Sequence, residues 1–369
     1  MEAPENPDIS VVPEKSPSAI YIHIPFCRRE CYYCNFSKLK YEQNSAEKYT
    51  DLLCTELKLR RDQHSYIKTV YFGGGSPAII PDASLTKIIE ALYENYNIGK
   101  LSEMTVEVNP EECSIEKLNF LKSVGFNRIS IGVQSFSDED LKYLSRNHSG
   151  VQSREALETA IKAGFDSVSA DLIIGLPDQK KKTLGNNIKI ISSAGVNHLS
   201  AYILEGVKEY GGRKSPDADH QSNLYNTFRE KISGTEFDQY EVSNFCRAEA
   251  YSEHNMNYWE GGSYIGAGLS ASGYESGIDY TNYSDMENYC RSIESMKIPI
   301  ADRIENDPVK RSLVTGLRLT KGIEKEKFTI YESRIRELIE EGFLEETEKY
   351  YRVVPSRMVV LNEILTYLI

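Results

Sequence analysis

Long apolar runs, an excess of basic residues and a secretion signal are all missing from this 369-residue sequence. No apolar run approaches the ~20 residues that span a bilayer, so we expect no membrane span. The net charge is −12, and no basic block exceeds Lys180-Lys181-Lys182, which argues against binding to nucleic acid through its phosphates. The first residues are acidic and Pro-rich, without the basic and apolar regions of a signal peptide. We therefore expect a cytoplasmic protein.

The seven cysteines do not indicate a disulfide framework. There are seven of them, an odd number in a long chain without a secretion signal, and that combination is not typical of disulfide-rich proteins. Cys27, Cys31 and Cys34 fall within eight residues, a density that indicates a metal site. The other four cysteines share no ligand spacing and are expected to be small buried hydrophobic residues.

The chain divides into four sections by its hydrophobic pattern. Residues 1–17 hold four prolines and several charges and are expected to be a flexible tail. From 18 to 205, short β-branched or aromatic runs alternate with amphipathic helical patterns. The predicted strands of this section are Ala19–Ile24, Thr69–Phe72, Met104–Val108, Arg128–Val133, Ser167–Ile174 and His198–Ile203. Six such units predict an α/β fold with a parallel sheet, either doubly wound or a partial barrel, with its ligand site at the carboxyl ends of the strands.

The last two sections are predicted to be smaller. Residues 206–300 lose the alternation and form an extension rich in Gly, Ser and Tyr. Residues 301–369 return to helices and short strands, a pattern typical of a small winged-helix-like α+β module. Glu337, Glu340 and Glu341 surround its would-be reading helix, so we expect the module to pack on the main domain and not on DNA.

The cysteine loop has the spacing C-x3-C-x2-C and directly follows a predicted strand. Three thiolates on one loop can hold three corners of a [4Fe–4S] cubane, which leaves the fourth iron free of protein ligands. The amino and carboxylate groups of S-adenosylmethionine (SAM) can bind that iron, and the reduced cluster can then cleave the sulfonium to a 5′-deoxyadenosyl radical. The alternative is a Cys3His zinc site that includes His23. Two features argue against zinc. His23 lies in a strand pattern close to Pro25, and only one C-x2-C pair is present, whereas zinc sites tend to have two.

Further motifs follow the cysteine loop in a fixed order. They are Tyr71-Phe-Gly-Gly-Gly-Ser-Pro77, Thr105-Val-Glu-Val-Asn-Pro110, Gly132-Val-Gln-Ser-Phe136, Arg146, and Asp171-Leu-Ile-Ile-Gly-Leu-Pro177. With Tyr21 to Phe36, this order resembles the oxygen-independent coproporphyrinogen III oxidase group of radical SAM proteins. The resemblance runs from about Ser18 to the C-terminus and implies a partial (β/α)6 TIM-like radical SAM barrel.

The resemblance also implies which residues bind cofactors. Cys27, Cys31 and Cys34 would hold the cluster. Glu107 would bind the SAM amino group, Gln134 the ribose hydroxyls, and Arg146 the carboxylate in a bidentate pair. The remaining SAM-site residues are Tyr21, Tyr33, Gly74, Gly75, Ser76 and Asp171, with Ser76 in place of the family's commoner Thr. No catalytic side chain is implied.

Three features resemble those of the heme chaperone, or HemW, branch of this group. The oxidases carry a fourth cysteine after the loop, where this chain has Asn35-Phe36, and they have a longer segment than the 26 residues that precede Cys27 here. His254-Asn-Met-Asn-Tyr-Trp259 matches the H-N-x-x-Y-W signature of the chaperone branch. The signature implies heme as a further cofactor, with His254 as a candidate iron ligand. An aromatic patch that packs two domains together would have the same composition and stays open.

Two departures weaken the implied heme site. The family usually has a histidine after Gly268, and Leu269 to Tyr274 contains none; the segment Gly206–Gly212 also runs unusually. The expected function is a heme chaperone that transfers heme to an acceptor protein, with respiratory proteins as one class of acceptor and a cytoplasmic protein as electron donor. The alternative is an oxidase-like radical SAM enzyme acting on a tetrapyrrole. The sequence leaves the oligomeric state open, with a homodimer as one option.

Overall fold

The computed structural model describes residues 17–204 and 216–369. Most of the predicted tail and the unusual Gly206–Gly212 segment lie outside these residues, as does the predicted boundary at 205. Within the described residues, no helix is long and apolar enough to cross a membrane.

Six parallel strands form the centre of one twelve-stranded sheet. They are β1 (Ala19–Ile24), β2 (Asp62–Gly74), β3 (Tyr96–Val108), β4 (Arg128–Gln134), β5 (Ser167–Ile174) and β6 (His198–Ile203), and they follow one another in the sheet in this order. All six predicted strands are present. Strands β2 and β3 begin well before the predicted residues, because their first residues pair with each other in an irregular register.

Helices connect these strands and cover the outside of the sheet. They are α1 (Gln43–Leu59), α2 (Asp82–Asn95), α3 (Ile115–Ser123), α4 (Asp138–Tyr143), α5 (Gly150–Ala163) and α6 (Lys181–Ser193). Alternate strand residues such as Ile20, Val70 and Ile129 are fully buried in the hydrophobic core. The other set of alternate residues is polar, and its members bond to one another: Tyr71 to Glu107, and Ser130 to Asp171. A polar inner face and an apolar helix-covered face are what a partial barrel requires.

The section after the barrel adds strands to both edges of the same sheet. On the β1 side are β9 (Tyr264–Ala267), β10 (Ser272–Glu275), β11 (Ile278–Asn282) and β12 (Ile300–Glu305); on the β6 side are β7 (Asp238–Gln239) and β8 (Asn244–Cys246). Strand β9 runs parallel to β1 and the others pair antiparallel. The sheet therefore stays open, with β12 and β7 at its ends. The predicted α/β partial barrel is confirmed in this open form.

Three helices accompany these added strands: α7 (Ala218–Ile232), α8 (Glu253–Trp259) and α9 (Met286–Glu294). The buried carboxylate of Glu56 on α1 joins the added strands to the barrel. It accepts hydrogen bonds from the Gly268 amide, the Asn282 amide group and the Tyr289 hydroxyl, and it pairs with Arg60 at 2.8 Å. Because the acceptor is both charged and fully satisfied, this network fixes the added strands firmly against α1.

The C-terminal residues form a small α+β unit. A three-stranded antiparallel sheet contains β13 (Ile323–Glu324), β14 (Leu344–Glu346) and β15 (Tyr350–Val353), in the order β13-β15-β14. Helices α10 (Pro308–Gly316), α11 (Glu332–Glu340) and α12 (Leu361–Leu368) accompany it. Lys325–Lys327 and Thr329–Tyr331 form two short 3-10 turns between β13 and α11. The unit contacts α7 through residues 355–360.

Candidate functional site

A cavity of about 1000 Å³ opens at the carboxyl ends of the parallel strands. Its volume lies at the upper end of the range for ligand sites. It is lined by most of the predicted site residues, namely Cys27, Cys31, Cys34, Tyr33, Gly74, Gly75, Glu107, Gln134, Arg146 and Asp171. Three predicted residues, Tyr21, Ser76 and His254, are not among its lining residues.

The cysteine loop is closed by backbone contacts. Phe26–Cys27 pairs with Leu39–Lys40, and the Cys34 amide donates to the Cys31 carbonyl at 3.1 Å. Lys38 Nζ donates to the carbonyl of Cys34 at 2.7 Å. The three cysteines are partly exposed and free of disulfides, so their thiols are available as ligands.

These side chains suit a cluster better than a single zinc ion. Both ring nitrogens of His23 are engaged, Nδ1 with the Tyr21 hydroxyl at 3.1 Å and Nε2 with the Ser37 carbonyl at 3.0 Å. In the described part of the chain, no three His, Cys, Asp or Glu side chains converge to hold one metal ion. A zinc site needs four such ligands at one point, whereas the thiolates of a cubane bind separate irons. The alternative with His23 as a zinc ligand therefore lacks its fourth ligand.

The crowded thiols depend on a cation for their ionised form. Burial, with smaller contributions from the neighbouring thiols of Cys34 and Cys31, raises the pKa of Cys27 to about 12. Metal-bound thiols are deprotonated because the metal charge offsets this cost. The donor set thus fits an iron–sulfur group.

Glu107 lies at the end of β3 with both carboxylate oxygens engaged. Tyr71 donates its hydroxyl to Oε1 at 2.7 Å, and the Gly74 amide donates to Oε2 at 3.2 Å. Burial, with a smaller contribution from the charge of Asp171, raises the pKa of Glu107 to about 7. A ligand with an amino group would favour the ionised carboxylate and lower that pKa.

Gly74 has to be glycine for two reasons. Its φ of +109° is rarely adopted by other residues, and a Cβ there would lie 2.4 Å from the His23 ring. The chain can therefore turn out of β2 directly beneath the cysteine loop.

Arg146 connects the cysteine loop with the strand ends. Its Nη2 donates to Asn109 Oδ1 at 2.6 Å and to the Gly132 carbonyl at 3.0 Å, while Nη1 lies 3.6 Å from Cys31 Sγ. Its buried Nε has no partner. The guanidinium is thus held in one orientation beside the Cys31 thiol, and its Nε–H donor is still unpaired.

Gln134 ends β4 in a left-handed conformation, with φ of 64°. Such a backbone is strained for a residue other than glycine and occurs most often at functional sites. The register between β4 and β5 shifts after Ile131. On β5, Asp171 accepts two bonds from Ser130 at 2.9 Å, and burial raises its pKa.

Tyr21 and Ser76 lie one layer behind the cavity. Tyr21 bonds to His23 and stacks on Tyr71 with ring centroids 6.1 Å apart. Ser76 is buried and donates its hydroxyl to Glu112 Oε2 at 2.5 Å. Both residues orient side chains and do not themselves face the cavity.

His254 lies in the polar interior of the barrel. It is 1% exposed, and both ring nitrogens are bonded, Nδ1 to Thr69 Oγ1 at 2.8 Å and Nε2 to the Tyr258 hydroxyl at 2.7 Å. Burial, together with the charge of Arg128, lowers the pKa of His254 to about 3. Its neighbours Asn255, Tyr258 and Trp259 line the cavity. The imidazole itself has no free nitrogen for heme iron in this arrangement.

Some residues that line the cavity were not predicted from the sequence. Asn109 belongs to the motif Thr105–Pro110, and the sequence predicted no role for it. In the structure it accepts a hydrogen bond from Arg146 and so orients the guanidinium. Lys38, Glu241, Asn244 and Arg318 also line the cavity. Nothing in the spacing of Glu241, Asn244 and Arg318 marks them, because they are far in the sequence from the cysteine loop and the ends of the parallel strands. Lys38 lies only four residues after Cys34, but no ligand motif includes it.

The open α/β barrel with three cysteines at its carboxyl end defines the class of radical SAM proteins, and residues 21–191 match the radical SAM superfamily. Over 367 residues, the chain is 30% identical to the heme chaperone HemW of Bacillus subtilis (strain 168), covering 93% of this chain and 97% of the relative. It is 31% identical to the heme chaperone HemW of Lactococcus lactis over 349 residues, covering 89% and 91% of the two chains. The chain belongs to the HemW family of radical SAM proteins.

A solved structure shows the same fold. The coproporphyrinogen III oxidase HemN of Escherichia coli, titled a radical SAM enzyme, superposes with a TM-score of 0.82 at 21% identity, covering 96% of this chain and 90% of that one. At this identity the likeness concerns the fold. Membership of the radical SAM superfamily implies a [4Fe–4S] cluster and SAM as cofactors.

Proposed function

We propose that this protein is a heme chaperone, built on a radical SAM core, that binds heme and transfers it to an acceptor protein. The observation that carries the proposal is the 30–31% identity with two proteins named heme chaperones across 89–93% of this chain. The missing fourth cysteine supports it, since Asn35 and Phe36 stand where the resembling oxidases have that residue.

We infer that Cys27, Cys31 and Cys34 hold the [4Fe–4S] cluster. When bound and reduced, such a cluster supplies an electron that can cleave SAM. The backbone contacts that close the cysteine loop support this assignment of the three thiols. Arg146 adds a positive charge beside Cys31. A cation at this distance stabilises a thiolate-rich, negatively charged group.

The SAM roles are assigned to the side chains that line the cavity. Glu107 would bind the amino group, Arg146 the carboxylate and Gln134 the ribose, with Asp171 as a further acceptor. Gly74 and Gly75 let the backbone approach the ligand. Tyr21 and Ser76 would act indirectly, through His23 and Glu112, because they lie behind the cavity wall.

Heme would occupy the part of the cavity that the parallel strands do not form. Aromatic and apolar side chains there include Tyr258, Trp259, Met358 and Val359, and such side chains can cover a macrocycle. His254 would hold Tyr258 in place rather than bind iron, so the proposal assigns no axial ligand. An electron donor for the cluster and a heme acceptor, with respiratory proteins as one class, complete the proposal.

Titration of the anaerobically reconstituted protein with heme tests the proposal. We expect saturable binding with a defined Soret band, followed by release of the heme to apomyoglobin. Trp259→Ala should weaken the binding, whereas Tyr66→Ala, which removes an exposed tyrosine outside the cavity, should not. Absence of saturable binding by the wild type would exclude the chaperone function.

A further inference from the structure

One wall of the cavity contains polar groups whose hydrogen-bonding role has not yet been assigned. Glu241 and Asn244 lie around the start of β8, Trp259 ends α8, and Arg318 follows α10. All four line the cavity, and none belongs to the cysteine loop or the ends of the parallel strands.

This wall concentrates buried polar atoms that lack partners. Glu241 Oε2, Asn244 Oδ1, Trp259 Nε1 and Arg318 Nε are each buried without a hydrogen-bond partner. Glu241 is fully buried and Asn244 is 3% exposed. Buried polar groups are nearly always paired in native proteins, so a cluster of unpaired ones around a cavity indicates a ligand.

Arg318 differs from two other arginines that stack on aromatic rings, Arg60 and Arg311. Its guanidinium carbon lies 4.4 Å from the centroid of the Trp259 ring, yet it takes part in no ion pair within residues 17–204 and 216–369. Arg60 and Arg311 also lie over aromatic rings, and each pairs with a carboxylate at 2.8 or 2.6 Å. No carboxylate of the described residues forms an ion pair with Arg318, so its guanidinium can bind an acidic ligand in the cavity.

The nearby carboxyl group neutralises that charge only in part. Burial raises the pKa of Glu241 to about 7, although the charge of Arg318 acts to lower it. Glu241 can therefore carry a proton at a pH near neutral. A protonated Glu241 adds an O–H donor to the N–H donors of Trp259 and Arg318.

Donors gathered on one wall beside apolar side chains suit a ligand with an acidic group on an apolar body. Met358, Val359 and Leu361 provide the apolar surface, and a guanidinium is the side chain best matched to a carboxylate. Heme is a flat apolar macrocycle that carries two propionates. We propose that Arg318, supported by Trp259, binds a heme propionate carboxylate. This inference rests on the proposed heme-binding function.

The test compares heme with heme dimethyl ester, in which the propionates carry no charge. We expect Arg318→Gln to weaken heme binding about tenfold or more, the usual effect of losing a charge-assisted bond, and to leave binding of the dimethyl ester unchanged. Arg318→Lys should restore part of the affinity for heme. SAM affinity should not change, because its carboxylate is assigned to Arg146.

Arg357→Gln is the matched control, since Arg357 stacks on Phe343 at 5.1 Å and does not line the cavity. Equal losses for heme and its ester would show that Arg318 only supports the wall, and would overturn the inference. Unchanged heme affinity, or a loss of SAM affinity instead, would also overturn it. A wild type that binds neither heme nor its ester would refute the proposed function itself.

Discussion

The cysteine loop and helix α8 carry the two motifs that resemble functional signatures most closely, and their side chains are held very differently. The thiols of Cys27, Cys31 and Cys34 are partly exposed at a cavity. His254 of α8 is enclosed, with both nitrogens bonded and a ring stacked on Tyr71 at 5.1 Å. The side chains of one motif are thus accessible from the cavity, whereas the histidine of the other is enclosed by its own hydrogen bonds.

The charged side chains near the cysteine loop and near His254 also have different effects. Arg146 brings a cation to the Cys31 sulfur. Burial, with a smaller contribution from the charge of Arg128, lowers the pKa of His254 and keeps its imidazole neutral. A site that must hold an anionic cluster benefits from the first arrangement. A neutral, doubly bonded imidazole is suited to fixing Tyr258 and Thr69 in position.

The largest effect is expected at the loop. Cys31→Ser should abolish the visible iron–sulfur absorption after anaerobic reconstitution, because the serine hydroxyl is a poor ligand for the cluster. Cys54→Ser, at a thiol outside the cavity, should retain it. Full cluster content in the Cys31 variant would show that the loop does not hold the cluster.

At helix α8 the expected loss is in stability. His254→Ala removes a buried ring and leaves Thr69 Oγ1 and the Tyr258 hydroxyl without partners, which should lower the free energy of unfolding by about 3 kcal/mol. Denaturant titration measures this. The heme-bound spectrum should keep its Soret position under stabilising conditions. A changed Soret band with unchanged stability would instead identify His254 as an iron ligand.

The pH dependence should separate the two regions further. The pKa of His254 is about 3 in the folded chain against 6.5 for the ordinary side chain. Below pH 6.5 the unfolded state therefore takes up a proton that the folded state does not, so this contribution to stability is complete above pH 6.5 and falls as the pH drops towards 3. Between pH 6.5 and 5 the wild type should lose about 2 kcal/mol more than His254→Gln. Parallel curves for the two proteins would contradict the assignment.

The smallest effect concerns the cavity beside the loop. Arg146→Ala removes the proposed partner of the SAM carboxylate, so SAM affinity should fall at least about tenfold, equivalent to about 1.4 kcal/mol. Because Arg146 also contacts Cys31 Sγ at 3.6 Å, the cluster should remain but with a changed reduction potential. Calorimetry and an anaerobic redox titration measure the two outcomes. Unchanged SAM affinity would mean that the carboxylate binds elsewhere.

Much of the barrel could be predicted because its signals are local. Ser167–Ile174 and His198–Ile203 were bounded correctly, since an apolar strand with turn residues at both ends needs no distant information. The strands added beside β1 were not predicted, because Tyr264–Ala267 and Ser272–Glu275 are only four residues each. Such short, Gly-rich strands are stabilised by the neighbours with which they pair.

The site shows the same limit. The cysteine spacing indicated a cluster without any structure. The orientation of the His254 ring depends on Thr69, 185 residues away in the chain. Arg318 is available to a ligand because no carboxylate among the described residues forms an ion pair with it. A sequence motif includes His254 and no motif includes Arg318, but only the folded structure shows which of these side chains faces the cavity.

The central claim is that the radical SAM core of this chain serves a chaperone and not a porphyrinogen oxidase. One cluster-loaded preparation, supplied with SAM and a reductant, should be divided between heme and coproporphyrinogen III. We predict saturable heme binding and no decarboxylated porphyrinogen. Turnover of coproporphyrinogen III in proportion to SAM consumption would contradict the claim and favour the enzyme.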